Sequence, residues 1–259
     1  MKKYSVSAVY FSATDTSRKG AAAIAGVFDA NVNDLDMTVW NRQPVQTEFG
    51  ENDLVVFGAP VYSGRIYQGA FDRFRRMHGS QTPCIITVTY GNRDYEDALL
   101  ELYDLVSEQG FLPFAAAALI GQHTYGNIQV GRPAAEDLRE DEEFAQKASE
   151  KLAAEGPSPV YVPGNRSYKK ENHGGNGGRF RPLTNDDCTS CGLCAQMCPE
   201  GAISYSNCSS IDNAKCIACF RCIRSCPVQA KNIDTDEYSA FAKMFTAKLS
   251  KPRRNEYFI

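Results

Sequence analysis

The chain has 259 residues, 43% of them hydrophobic and 23% charged, with a formal net charge of −3. That composition excludes a disordered chain, and no run approaches the roughly 18 to 20 apolar residues that a membrane-spanning helix needs. Charge divides unevenly: residues 1–154 carry 14 basic and 21 acidic side chains, residues 155–259 carry 14 and 10, and so small a basic excess argues against a nucleic-acid partner.

The first stretch, "MKKYSVSAVYFSATD", has two lysines before an apolar run, but Ser5, Ser7 and Ser12 interrupt it. It reads as an alternating strand rather than a signal peptide. Further strands are predicted at residues 31–36, 54–59, 84–90 and 114–120, after a first strand over 4–11. Helical patterns cover 16–28, 66–78, 94–109 and 133–154, with Pro133 suited to a first turn and Gly156-Pro157 ending the last. Strands alternating with helices make residues 1–154 an α/β domain, an open five-stranded parallel sheet doubly wound with helices on both faces.

Residues 155–180 are rich in proline and glycine without a period and read as a linker that either wraps the first domain or lets the second one dock. Residues 181–235 form a second, cysteine-rich domain. Residues 236–259 begin with a terminal amphipathic helix, with Phe241, Phe245 and Leu249 four apart.

Nine of the ten cysteines follow residue 187. Thiols gathered in this way predict a small metal-dependent domain in a reducing, cytoplasmic setting. "CTSCGLCAQMCP" begins at Cys188 and "CIACFRCIRSCP" at Cys216, an internal repeat with a 28-residue offset. Each is C-x2-C-x2-C-x3-C-P, the ligation pattern of bacterial [4Fe–4S] centres, in which the fourth cysteine serves the other cluster. The expected ligand sets are Cys188, Cys191, Cys194 and Cys226 for one cluster, and Cys216, Cys219, Cys222 and Cys198 for the other. Gly192, Ala195, Ile217, Ala218 and Ile223 would keep water away. Zinc is the alternative, but its sites usually combine C-x2-C pairs or include histidine, and no histidine lies after 173. Cys208 belongs to neither run and reads as a buried or idle thiol, Cys84 as a core residue.

An open α/β sheet binds ligands at the carboxyl ends of its strands, and three loops fall there. "SATDTS", 12–17, offers hydroxyls and successive N–H groups at a helix N-terminus, a phosphate cradle without lysine. "APVYSGR", 59–65, places Tyr62 where it could face an aromatic ring and Gly64 where backbone could approach closely. "TYGNRDY", 89–95, follows the next strand with Tyr90 and Gly91. Together they describe a slot for a planar ring with a phosphate tail. The loop 120–133 ends at the same face, and its His123 and Tyr125 read either as cover for that slot or as solvated loop residues.

With "FSATDTS", "PVYSGR", "TYGNRDYEDALLEL" and "KCIACFRCIRSCP", the chain closely resembles the EFR-type flavodoxin–ferredoxin fusions of anaerobic bacteria over nearly its full length. The resemblance implies a flavodoxin-like sheet followed by a small α+β two-[4Fe–4S] ferredoxin domain, with FMN as the third cofactor. Ser12, Thr14, Thr16 and Ser17 would contact the FMN phosphate, with Asp15 in the same loop where the family usually has glycine. Pro60, Val61, Tyr62, Ser63, Gly64 and Arg65, and Tyr90, Gly91, Asn92, Arg93 and Tyr95, would border the isoalloxazine.

The function expected is electron transfer between two [4Fe–4S] clusters and FMN, linking a ferredoxin-type donor to a redox partner enzyme. One alternative is a flavin-dependent reductase of a small organic substrate fed by its own clusters. Another is a ferredoxin whose first domain lacks flavin and only docks. No G-x-G-x-x-G follows a strand, so no dedicated pyridine-nucleotide domain is expected.

Overall fold

A computed structural model describes residues 3–41, 46–168 and 179–259. Strands β1 (Ser5–Tyr10), β2 (Asn33–Asp36), β3 (Asp53–Tyr62), β4 (Thr82–Tyr90) and β5 (Phe111–Ile120) pair in parallel in the order 2-1-3-4-5. This is the flavodoxin-like doubly wound order, whose switch point lies beside β1 and β3.

Side chains alternate across the sheet, as the period-2 geometry of a strand requires. Val9, Val55, Phe57, Ile86, Val88, Ala116 and Ala118 face one core with helices α2 (Gln68–Phe74) and α3 (Ala98–Glu108). Val6, Ala8, Leu54, Val56, Ile85, Ala115 and Ala117 face the other with α1 (Thr16–Phe28) and α4 (Ala135–Glu155). Cys84 is fully buried in the first core.

Two predicted helices are shorter than their patterns. Residues 65–66, the first of them read as loop and the second as helix, fold back as a short strand on β3, so α2 starts at Gln68. Before α3, the Asp94 carboxylate accepts the Glu96 N–H, and Asn92 and Glu96 take positive φ, so residues 94–97 stay outside the helix, which a helical period cannot reveal.

Half of the stretch read as a linker packs on the first domain. Val160 and Val162 join the α2/α3 core, the Asn165 N–H donates to Asp97, and Tyr168 stacks beneath the Arg65 guanidinium. Residues 169–178 lie outside the described residues. After the cysteine-rich region, α5 (Leu193–Gln196) and α6 (Arg221–Ser225) sit inside the two runs, and residues 183–184 pair with 231–232. Helix α7 (Asp236–Lys248) is N-capped by the Thr235 hydroxyl.

The chain then returns to the first domain. Strand β6 (Glu256–Phe258) adds antiparallel to β5, so the sheet edge is covered by the protein's own tail. Asn92 fastens the connection by donating to the Leu249 and Lys251 carbonyls and accepting from the Arg253 N–H. No helix among the described residues is long and apolar enough to cross a membrane.

Tyr257 stacks on Phe144 and donates to the buried Asp141 carboxylate at 2.7 Å. Burial raises the Asp141 pKa to about 7, with Asp137 and Glu140 adding to the rise. Because the folded pKa lies above the unfolded one, this residue favours folding most below the usual carboxylate range, and the benefit is lost as pH rises through 7. Asp141→Asn should therefore be more stable than wild type at pH 8, by roughly 1–3 kcal/mol, and gain little at pH 5. Thermal melts at the two pH values check this.

Candidate functional site

The carboxyl ends of β1, β3, β4 and β5 enclose a cavity of about 310 Å³, within the usual size range of small-molecule sites. Of the residues expected there, Thr14, Thr16, Ser17, Pro60, Val61, Tyr62, Ser63, Tyr90, Gly91 and Arg93 line it. The 120–133 loop supplies Gln122, His123, Thr124 and Tyr125.

The other expected residues do not line the cavity, and each has another task. Ser12 caps α1 by accepting the Arg18 N–H at 3.1 Å. Asp15 takes φ 69°, a left-handed conformation that aspartate tolerates better than most residues, and its carboxylate pairs with Arg18. Gly64 abuts Glu96: a Cβ there would lie 2.1 Å from that carboxylate. Arg65 is buried in a bidentate pair with Glu101, at 2.7 and 2.9 Å. Asn92 holds the C-terminal tail, and the Tyr95 hydroxyl donates to Glu256. Two expected residues of each ring-bordering loop, Gly64 and Arg65 in one and Asn92 and Tyr95 in the other, are thus structural, a division that position after a strand does not disclose.

Four wall residues lie far away in sequence. Ile217 and Ala218, between two cysteines of the second run, and Phe241 and Phe245 of α7 close the cavity. The residues themselves read as cluster shield and helix packing; only docking of the second domain gives them this use. Tyr125 is the pin of that docking, with its ring centroid 5.3 Å from Phe220 and 6.0 Å from both Phe180 and Phe241. On the opposite side, the Trp40 N–H and Arg73 Nη2 donate to the Pro199 carbonyl, and Arg73 also pairs with Glu200 at 2.8 Å.

His123 stands against Gly91, where a Cβ would lie 2.4 Å from its ring. Burial lowers its pKa to about 4, and its Nδ1 accepts the Tyr125 N–H at 2.8 Å. The imidazole is therefore neutral at physiological pH, with its proton on Nε2.

Three polar atoms of the cavity wall are buried without a partner: Ser17 Oγ, Thr89 Oγ1 and Arg93 Nη2. Buried polar groups are almost always paired. Ser17 lies in the first turn of α1, whose N-terminal N–H groups favour an anion. With the N-terminus of α1, Thr14, Thr16 and Ser17 at one end of the wall and Tyr62 and Tyr90 further along it, the residues present fit a phosphate tail and a planar ring such as FMN carries.

The cysteines gather in two sets. Cys188, Cys191, Cys194 and Cys226 ring one small cavity, and Cys198, Cys216, Cys219 and Cys222 ring another. Each set draws three residues from one run and the fourth from the other. Among the described residues, no three histidine, cysteine or acidic side chains converge closely enough to hold a single metal ion.

The 28-residue repeat extends to the backbone. Ser190 and Ala218, Gly192 and Phe220, and Gly201 and Gln229 all take positive φ at matched positions. Three of these pairs share one loop shape although only two of the six residues are glycine, and the left-handed region costs other residues about 1–2 kcal/mol each. The shape follows from wrapping one object with ligands three residues apart.

Burial pushes the Cys219 and Cys222 thiols up to about 12. For Cys226 burial acts the same way, but the N–H groups of residues 228–231 outweigh it and the pKa falls. Metal must displace protons from most of these thiols, so loading couples to folding. Cys208 is buried beside the first set and lies next to Cys194.

Comparison with known proteins gives one sequence match and several structural likenesses. A sequence profile described as "4Fe-4S binding domain" matches residues 183–204. A 4Fe-4S binding segment is present. Among solved structures, a flavodoxin from the domain Archaea aligns with 13% identity and a TM-score of 0.42, covering 57% of this chain and 98% of its own. The flavodoxin of Streptococcus pneumonia TIGR4 gives 14% and 0.38 over 56% and 98%, and that of Megasphaera elsdenii 15% and 0.37 over 54% and 98%. At these values the likenesses add nothing to the strand order itself. No curated protein matches the chain. A flavodoxin-like sheet followed by a 4Fe-4S region fits a flavodoxin–ferredoxin fusion.

Removing Cys198, donated across from the first run, should cost the cluster of the second set more than that of the first. In Cys198→Ala, iron counting and EPR should show the second signal depleted and the first retained; equal loss of both in a folded protein contradicts the crossed sets. Ser17→Ala should weaken FMN binding roughly ten- to a hundredfold, the worth of a hydrogen bond to a charged group, with iron content unchanged. Fluorescence titration of flavin-free protein reads this.

Proposed function

We propose that the chain is an electron-transfer flavo-iron–sulfur protein holding two [4Fe–4S] clusters and one FMN, and that it links a low-potential donor to a redox partner protein. One observation carries this reading: Ile217 and Ala218, which lie between Cys216 and Cys219, are also part of the wall of the strand-end cavity. The second cysteine set and the cavity are neighbours across a single loop.

When bound, iron–sulfur clusters exchange single electrons and a flavin exchanges one or two, which is the chemical reason to place them side by side. The protein's share is to hold, orient and insulate. Thr14, Thr16 and Ser17 hold the phosphate end at α1. Tyr62, Tyr90, Arg93 and the neutral His123 surround the ring. Ile217, Ala218, Phe241 and Phe245 keep water out. The first set, with Cys191 exposed, is the side open to a partner.

Ile217, Ala218, Phe241 and Phe245 make the far wall of the cavity apolar, with no charged group there to bind a polar organic substrate, which favours a carrier over a reductase. The hydroxyl-bearing Thr14, Thr16 and Ser17 gathered with Tyr62 and Tyr90 in one cavity wall speak against a flavin-free docking domain.

Protein purified without oxygen should contain about eight irons and eight sulfides with one FMN per chain. Eight irons with no flavin, even after FMN is added, would make the first domain a docking module and remove this reading.

A further inference from the structure

Lys231 is 3% exposed and lines the cavity of the first cysteine set. Lysine is almost never fully buried unless paired, and a buried charge left uncompensated is costly. Its partners among the described residues are both neutral: Nζ donates to Thr184 Oγ1 at 2.6 Å and to the Cys208 carbonyl at 2.5 Å. An ammonium has three N–H bonds, so one is left without a protein acceptor, beside a cavity lined by five cysteines, Cys208 among them.

We infer that Lys231 is the built-in counter-ion of the cluster held by Cys188, Cys191, Cys194 and Cys226, and that it raises the reduction potential of that cluster more than that of the other. The inference rests on the proposed reading that these cysteines hold a cluster. Four thiolates give the site a net negative charge, and reduction adds one electron and one further negative charge. A fixed positive charge at the cavity wall stabilises the reduced form more than the oxidised one. Its site is prepared by the fold: Thr184 and Lys231 face each other across the short strand pair, and the Cys208 carbonyl, from the segment between the two runs, completes the cradle. This gives Cys208 a role through its backbone, in place of an idle thiol. Lys231 also reaches Cys216 and Cys222 of the second set electrostatically, but that set has cations in its own wall, Lys215 and Arg221, with Arg221 Nη1 buried without a partner, so the larger effect of each buried charge falls on a different cluster.

The test is an EPR-monitored redox titration of the full chain, with iron content verified at about eight per chain. In Lys231→Gln one of the two cluster waves should fall by a factor of ten or more in its reduction equilibrium, 59 mV for a one-electron couple. Lys231→Arg should stay near wild type, and Arg221→Gln should move the other wave. No shift in Lys231→Gln, an equal shift of both waves, or the same wave moved by both variants overturns the inference. An iron content well below eight in the wild type would instead overturn the underlying reading. If Lys231→Gln does not load, pulsed EPR of reduced wild-type protein carrying ¹⁵N-lysine decides: a nitrogen coupling on one cluster signal, absent from Lys231→Arg, supports the inference, and its absence from both signals overturns it.

Discussion

The arrangement depends on one packing constraint: the cysteine-rich region must lie on the carboxyl ends of the parallel strands. Tyr125 enforces it from one side, set among Phe180, Phe220 and Phe241. On the other side Arg73 and the Trp40 backbone grip Pro199 and Glu200, the two residues after Cys198. Aromatic contacts add roughly 0.5–1.5 kcal/mol each beyond area burial, so several around one ring make a durable joint. The C-terminal tail adds a second tether, because β6 pairs with β5 and draws α7 across the cavity mouth.

Within the second domain the governing constraint is ligand geometry. Residues at matched positions of the two runs accept the same unfavourable backbone conformation, and the buried thiols resist ionisation without metal. On the proposed reading, both costs are offset when the cysteine sets are loaded with metal. Fold and cofactor are therefore mutually dependent here, whereas the α/β sheet has its own two apolar cores and needs no metal to form.

Much of this was legible in the sequence. Apolar β-type runs between helical patterns located all five parallel strands, and the cysteine spacing implied the two groups of four that line separate small cavities. Contacts between distant segments were not legible. A tripeptide such as Glu256-Tyr257-Phe258 is too short to show a period, so its pairing with β5 left no signal. Arg65 and Asn92 sit in loops of the right kind, yet their partners, Glu101 and the tail carbonyls, are tertiary. Ile217 and Phe245 are apolar residues in plausible apolar places, and nothing local tells a cavity wall from ordinary packing.

The central claim is that the second cysteine set and the strand-end cavity work as neighbours within one chain. The most direct measurement is the rate at which flavin absorbance bleaches after rapid reduction of the clusters, followed over a range of protein concentrations. The account predicts a first-order rate independent of concentration, lost when Cys219→Ser removes the second cluster. A rate proportional to protein concentration would mean that electrons pass between chains, and would contradict it.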